Sequence, residues 1–530
     1  MKHVMNPIIL LLILTLTLPN IARGQSYEPT WESLDSRPTP QWYPDAKLGI
    51  FIHWGLYSVP SYTNKGTYAE WYWHALSADT TTMNPKQRVR HHKVSSFHEK
   101  NYGPDFEYPD FRRGFTCEFF DPREWADIFR RSGAKYVVLT SKHHDGFCLW
   151  PNREASESFG MKWNSAEIGP KRDLVGELSG AVRAQGMKMG IYYSIWDWFN
   201  PLWTEQQQRV LSKGDMIDNT GELITMKQTP EELLAESKAS LNRYIRDVMY
   251  PQFKELVLDY EPALIFSDGD WWMDDELWQT KPLLAWLYNN APNRDEFVIN
   301  DRWGKVRGKH GGYFTTEYGS GFDDPDILWE ENRGMGMSFG YNRIENIDDY
   351  RTEQELIYML VDLVSRGGNL LLNIGPTGDG RIPVIMQQRL IQLGQWLEVN
   401  GEAIYGTRAW EQSAQWSKGK IPVFSKKDYH AGFPIYEMTI NPREGNAVKE
   451  FYFTRKGMDL YAFSPRWPSV DKIFIKDVEV RKGTKVSLLG SSARLPVTAK
   501  KGGIEIDISQ VGINDVKVQH MHVFKITEVN

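Results

Sequence analysis

The stretch Ala263–Trp272, ALIFSDGDWW, runs an apolar strand of Leu264, Ile265 and Phe266 straight into Asp268 and Asp270, with Trp271 and Trp272 behind them. Side chains alternate faces along a strand, and burying a carboxylate beside tryptophans costs several kcal/mol unless it is hydrogen-bonded or used. A sugar ring gives such a site a use, because aromatic faces cover its C–H surface while a carboxylate attacks or stabilises the anomeric carbon. The plainer reading of Ser267-Asp268-Gly269-Asp270 is an acidic turn closing a strand, since Asp-Gly is a common turn signal.

Other strand ends carry polar residues of the same kind. Leu48–Ile52 ends in His53-Trp54-Gly55, where a barrel places a ligand contact and where a core histidine is the bland alternative. Glu70-Trp71-Tyr72-Trp73-His74 sets one carboxylate among aromatics, as a sugar-hydroxyl rim or an ordinary packed cluster would. Tyr136–Leu139 leads to Lys142-His143-His144-Asp145. Adjacent histidines on a strand point to opposite faces, and no His-x-x-x-His or cysteine set accompanies them. We therefore expect no metal and no cofactor, and hydrogen bonding to a polar substrate instead.

The elements that must position these groups follow a regular order. Asp121-Pro122 starts a helix with Trp125, Ile128 and Phe129 on one face, ended by Gly133. Asp173–Gln185 is a second helix before the strand Met189–Tyr193, and Thr229–Glu232 opens another before the Asp268 strand. Glu296–Asn300 reads as a strand ending in Asp301-Arg302-Trp303-Gly304. Thr352–Glu355 is a capping box ahead of a helix to Arg366 and the strand Asn369–Ile374. Thr80–Gly114, polar and without clear period, reads as a surface excursion. Helix and strand alternate, polar residues gather at strand C-termini, and no phosphate-cradling Gly loop follows the first strand, so the expected class is α/β, a (β/α) barrel. From about Ser413 short β-branched and aromatic runs (Glu450–Thr454, Leu460–Phe463, Val486–Leu489, Gly503–Ile508) predict an all-β sandwich with packing or accessory sugar contacts.

Composition agrees with this and narrows the partners. The 530 residues are 41% hydrophobic and 13% aromatic, which excludes a disordered chain. A net charge of -6 with interspersed signs speaks against nucleic acid. Cys117 and Cys148 are too few for a disulfide scaffold but leave one bridge open. Residues 1–24, with Lys2 and His3 before the apolar run Ile8–Leu18, read as a signal peptide cut near Gly24. No later segment is apolar enough for a membrane anchor, and the absence of any Asn-x-Ser/Thr leans towards a periplasmic or secreted bacterial protein. The expected divisions are residues 1–24, a barrel at 25–412 and a sandwich at 413–530.

Several of these stretches carry a family resemblance. KLGIFIHWG at Lys47–Gly55, AKYVVLTSKHHDGF at Ala134–Phe147, RDLVGEL at Arg172–Leu178, SDGDW at Ser267–Trp271, NDRWG at Asn300–Gly304 and LLNIGPTGDG at Leu371–Gly380 resemble the α-L-fucosidases of glycoside hydrolase family 29. GFTCEFFDPREWADIF is similar to their lysosomal-type, broad-specificity branch. The resemblance implies a retaining fucosidase on an irregular (β/α)8 barrel with a C-terminal β-sandwich, needing no metal and acting on a fucosylated glycan. Carried over by position, it makes Asp268 the nucleophile, with His53, Glu70, Trp71, His143, His144, Tyr193 and Arg302 around the sugar. For the acid/base it points to Glu317, with Glu330 in Leu328-Trp329-Glu330 as the alternative. Phe266 stands where some members carry Trp. An inactive fucose-binding relative and a glycosidase or transglycosidase of related specificity are the rival readings, and a homo-oligomer is left open.

Overall fold

The computed structural model describes residues 26–77, 83–202, 239–271, 273–319, 321–322, 324, 326–421 and 442–529. The segment read as a signal peptide, the helix start at Thr229–Glu232 and Trp272 lie outside the described residues.

Eight parallel strands build the first part: β1 (Leu48–Ile52), β2 (Tyr136–Lys142), β3 (Lys188–Ser194), β4 (Leu264–Asp268), β5 (Val298–Ile299), β6 (Phe314–Glu317), β7 (Trp329–Gly334) and β8 (Asn369–Ile374). Their order, β5-β4-β3-β2-β1-β8-β7-β6, is that of a curled sheet opened between β5 and β6, where among the described residues the bridge Asn300↔Tyr313 makes the only backbone pairing. That gap makes the (β/α)8 barrel irregular. The expected strand Glu296–Asn300 shortens to two residues because the Asn300 amide takes over the ladder. Its Oδ1 accepts from Ser267 N at 3.1 Å and its Nδ2 donates to Ser267 O at 2.9 Å. The backbone is thereby released to turn and deliver Arg302.

The helices form as their end signals require. The polar excursion is in fact helical in part: α1 (Pro85–Tyr102) is closed at its start by an Asn84–Gln87 capping box and buries only Val94 and His98. In α2 (Pro122–Arg131) Asp121 accepts from the N–H groups of Arg123 and Glu124, and Trp125, Ala126, Ile128 and Phe129 are buried. Asp173 caps α3 (Leu174–Ala184). The helices α4 (Tyr250–Tyr260) and α5 (Thr280–Asn290) flank β4 in sequence. Thr352 and Glu355 box the start of α6 (Glu353–Ser365), which precedes β8, and α7 (Val384–Asn400) follows it. One apolar cluster lies between strands and helices, while a second, including Tyr43, Phe51, Tyr136, Tyr192, Leu264 and Phe266, fills the barrel interior. Gly49 on β1 is required there: a Cβ would sit 2.3 Å from the Tyr136 ring.

The C-terminal part is β-rich and antiparallel. Its strands are β9 (Arg408–Trp416), β10 (Lys449–Lys456), β11 (Asp459–Ser464), β12 (Lys472–Lys476), β13 (Val486–Leu488), β14 (Arg494–Leu495), β15 (Val497–Lys500), β16 (Gly503–Asp507) and β17 (His522–Ile526). A six-stranded sheet, β14-β13-β17-β11-β10-β9, faces a three-stranded one, β12-β16-β15, across a core that includes Phe453, Ile473, Ile504 and Phe524. The first of these strands, β9 (Arg408–Trp416), runs across the Ser413 position. On the other face of the larger sheet, Tyr452, Tyr461, Phe463 and Val523 join the apolar cluster of the barrel. The Lys449 ammonium meets Asp362 of α6 at 2.6 Å, both buried.

Candidate active site

Asp268 ends β4 inside the C-terminal mouth of the barrel, and four groups from three other elements surround its carboxylate. Arg302 Nη1 donates to Oδ1 at 2.9 Å, and the Tyr192 hydroxyl donates to Oδ2 at 3.0 Å. His144 Nε2 lies 3.6 Å from Oδ2 and Arg307 Nη2 lies 3.7 Å from Oδ1. Burial by itself would raise the pKa of this carboxyl. The charges of the Arg302 and Arg307 guanidiniums outweigh it and hold the pKa down at about 2. Gly269 follows with φ +84, a left-handed conformation that turns the chain out of the barrel at once. Asp270 is thereby carried away from the pocket to Arg307, at 2.6 Å.

Arg302 joins Asp268 to a second carboxylate. Its Nε donates to Thr315 Oγ1 at 3.0 Å, its guanidinium lies 4.8 Å over the Phe266 ring, and its Nη2 reaches Glu317 Oε2 at 3.3 Å. Glu317 closes β6, and its Oε1 accepts from the Tyr68 hydroxyl at 3.0 Å. One planar fork thus holds the carboxylates of β4 and β6 side by side at the mouth, an arrangement compatible with the spacing of about 5–5.5 Å of retaining glycosidases.

Three neutral histidines face this pair. His53 ends β1, and its Nδ1 meets Asn373 Oδ1 at 2.7 Å; burial lowers its pKa to about 3. His143 and His144 both line the pocket because the chain leaves β2 after Lys142, beyond an irregularity in the β2–β3 register. The opposite-face argument for adjacent histidines does not hold past that point. The Ser194 hydroxyl donates to Trp196 O, so it accepts at 2.7 Å from Nδ1–H of His144, leaving Nε2 with its lone pair towards the pocket. Burial holds His144 at about 4 and His143 well below its usual range. The Nδ1 of His143 is buried without a hydrogen-bond partner among the described residues, an atom that a bound hydroxyl would satisfy.

Glu70 and the aromatic wall complete the pocket. Burial raises the Glu70 pKa to about 7 against the pull of the Gly340 N–H, which donates to it at 2.8 Å. Trp71 stacks on Trp271 at 5.7 Å and meets Trp198 edge-on at 4.7 Å. Phe51, Phe266 and Phe339 join Trp71 and Trp271 in walling a small pocket that opens to solvent. No group of three or more His, Cys, Asp or Glu is gathered as a metal would need, among the described residues.

Two sequence expectations require correction. Tyr193 does not reach the pocket: β3 pairs Tyr192 with Phe266 and Ser194 with Asp268, so those residues point inward and Tyr193 points out. Its hydroxyl bonds Gln252 Oε1 at 3.0 Å and Met249 O at 3.2 Å in the helix layer. Tyr192 takes the place, and counting by two from the inward Asp268 strand is the signal that finds it. Glu330 sits on the barrel floor at the start of β7, accepting from the hydroxyls of Tyr43, at 3.1 Å, and Tyr136. It is absent from the pocket, whereas Tyr68, Phe339 and Asn332, which no sequence argument singled out, line it. Cys117 and Cys148 are buried and unbridged.

An ionised aspartate and a glutamate on one guanidinium, in an aromatic-walled pocket at the C-terminal mouth of a (β/α) barrel, define a glycoside hydrolase. The comparisons with known proteins narrow that class. The α-L-fucosidase family profile matches residues 15–402, and that of the α-L-fucosidase C-terminal domain matches residues 444–527. An α-L-fucosidase of Dictyostelium discoideum is 36% identical over 98% of this chain and 99% of its own. The tissue α-L-fucosidase of Homo sapiens is 36% identical over 99% and 97%. A solved structure of Thermotoga maritima α-fucosidase with a mechanism-based inhibitor superposes with TM-score 0.71 at 35% identity, covering 95% of this chain and 100% of that one. The chain belongs to the α-L-fucosidase family, family 29 of the glycoside hydrolases.

Proposed function

We propose that the enzyme removes terminal α-L-fucose from fucosylated glycans in two displacements, with Asp268 as nucleophile and Glu317 as acid/base. The observation that carries the reading is the Arg302 guanidinium shared between these two carboxylates. In the first step an Asp268 oxygen bonds to the anomeric carbon as the bond to the leaving oxygen breaks, and the proton of Glu317 passes to that oxygen. In the second, water attacks the anomeric carbon, the bond to Asp268 breaks, and the water proton returns to Glu317. His53, Glu70, Trp71, His143, His144, Tyr192 and Arg302 hold the sugar. With their Nδ1–H groups held by Asn373 and Ser194, His53 and His144 each offer the sugar an acceptor at Nε2, the Nδ1 of His143 awaits a partner, and Phe266 and Trp271 offer the C5 methyl an apolar wall. The relative crystallised with fucose supports the substrate.

No helix among the described residues is long and apolar enough to cross a membrane. The apolar run of residues 1–24 supports export to the periplasm or the medium. The test of the chemical reading is Asp268→Asn, which removes the nucleophile and keeps its shape. It should lower kcat for 4-nitrophenyl α-L-fucoside by at least about 10³-fold with an unchanged circular dichroism spectrum. Near-native turnover would exclude Asp268.

A further inference from the structure

A second recess lies where barrel and sandwich meet. Strands of a (β/α) barrel end at the face that holds the site, and the helix after each strand starts there. The connection from β7 carries Phe339 into the catalytic pocket and then enters α6, whose first two turns present Gln354 and Tyr358. Against them the sandwich sets Pro465–Trp467, Val511–Ile513, Val516–His520 and His522, leaving a groove broader and more open than the catalytic pocket. Its two walls are tied together, the Tyr358 hydroxyl donating to Pro465 O at 2.6 Å and Trp396 Nε1 to His520 O at 2.9 Å.

The lining sets an aromatic ring, a buried imidazole, amides and positive charge around one groove. Trp467 is half-buried and braced at 89° against the His522 ring, 5.2 Å away, so its indole is a fixed platform. His522 is only 3% exposed, lines the groove, and has its Nδ1 buried without a partner among the described residues. Burial holds its pKa at about 4, so the neutral ring offers one donor and one acceptor. Gln354 and Gln519 add planar amides. Arg466 and Lys517 add positive charge, and no aspartate or glutamate lines the groove among the described residues.

We propose that this groove binds an anionic stretch of the glycan from which fucose is removed, one bearing sulfate or carboxylate groups, with Trp467 as ring platform and Arg466 and Lys517 as charge partners. The proposal rests on the fucosidase reading for its substrate, and on the groove alone for its binding. Calorimetric titration of the full-length chain, with L-fucose saturating the catalytic pocket, uses the fucose-free chondroitin 4-sulfate hexasaccharide as probe and neutral chitohexaose as comparator. We expect salt-sensitive binding of the sulfated probe, at least tenfold tighter than the neutral one. Trp467→Ala should weaken it at least tenfold and Lys517→Glu, an exposed position, at least threefold, while turnover of 4-nitrophenyl α-L-fucoside is unchanged in both variants. Absence of binding, equal binding of the neutral probe, or indifference to both substitutions would overturn the proposal. So would self-association abolished by Ile513→Asp in a chain that binds neither probe, which would assign the groove to a second copy. A chain without fucosidase activity that still binds the sulfated probe through Trp467 would defeat the reading of the catalytic pocket and leave that of the groove.

Discussion

Asp268 stays ionised inside a buried pocket because two guanidiniums and a tyrosine hydroxyl offset its desolvation, and each of those partners can be removed singly. The Tyr192 bond at 3.0 Å is a hydrogen bond to a charged acceptor, a contact of about 1.5–3 kcal/mol. Tyr192→Phe should therefore lower kcat about ten- to a hundredfold, and Tyr193→Phe should leave kcat within about twofold while lowering the denaturation midpoint. The reverse result would mean that the inward and outward faces of β3 are misassigned. Glu330 gives a second residue-level test. Burial lifts its pKa from the ordinary 4.5 to about 7, so the folded chain holds this proton more tightly than the unfolded one. Its contribution to stability is complete below about pH 4.5 and is lost as pH rises through about 7. Glu330→Gln should keep near-native turnover, and its stability relative to the native chain should improve between pH 4.5 and 8, measured as the difference in urea midpoint. A kcat collapse in this variant would restore Glu330 as a catalytic group.

At the scale of elements, the ends of β2 and β3 are locked from behind. Lys142 and Asp197 form a fully buried ion pair at 2.6 Å, and Lys142 also donates to Gln252 Oε1 at 2.9 Å. The same turns carry His144 and Trp198, whose rings stack at 4.5 Å and whose backbones share a 2.8 Å hydrogen bond. Lys142→Met strands a buried carboxylate and should cost about 3–5 kcal/mol of stability, read by urea unfolding; a loss below about 1 kcal/mol would mean that the pair is solvated. Legibility at this scale followed the kind of signal available. Caps at Asp121, Asp173 and Thr352 and the uninterrupted run of β8 could be read directly. The helix α1 could not be read by period, since it buries only Val94 and His98, although its Asn84–Gln87 box was in plain sight. Face parity along β3, which the motif alone does not state, sets Tyr192 and not Tyr193 towards the pocket. The position of Glu330 depends on where β7 begins, which no local pattern states.

For the whole molecule, the alternation of helix and strand foretold the barrel, and the short β-branched runs foretold the β-rich C-terminal part. What the chain could not announce is how firmly the two are joined. The larger sheet lends Tyr452, Tyr461, Phe463 and Val523 to the barrel's own apolar cluster, and Lys449 reaches Asp362 of α6, contacts that unite residues far apart in sequence. The pairing of Asp268 with Glu317 is of the same nature, because β4 and β6 lie at separate positions of the curled sheet and are brought together through Arg302. The stereochemistry of the reaction reports directly on that convergence. In an NMR time course with 4-nitrophenyl α-L-fucoside and the purified enzyme, read before mutarotation, α-L-fucose is expected as the first sugar released. First release of the β anomer would mean direct attack by water and would contradict a nucleophilic Asp268.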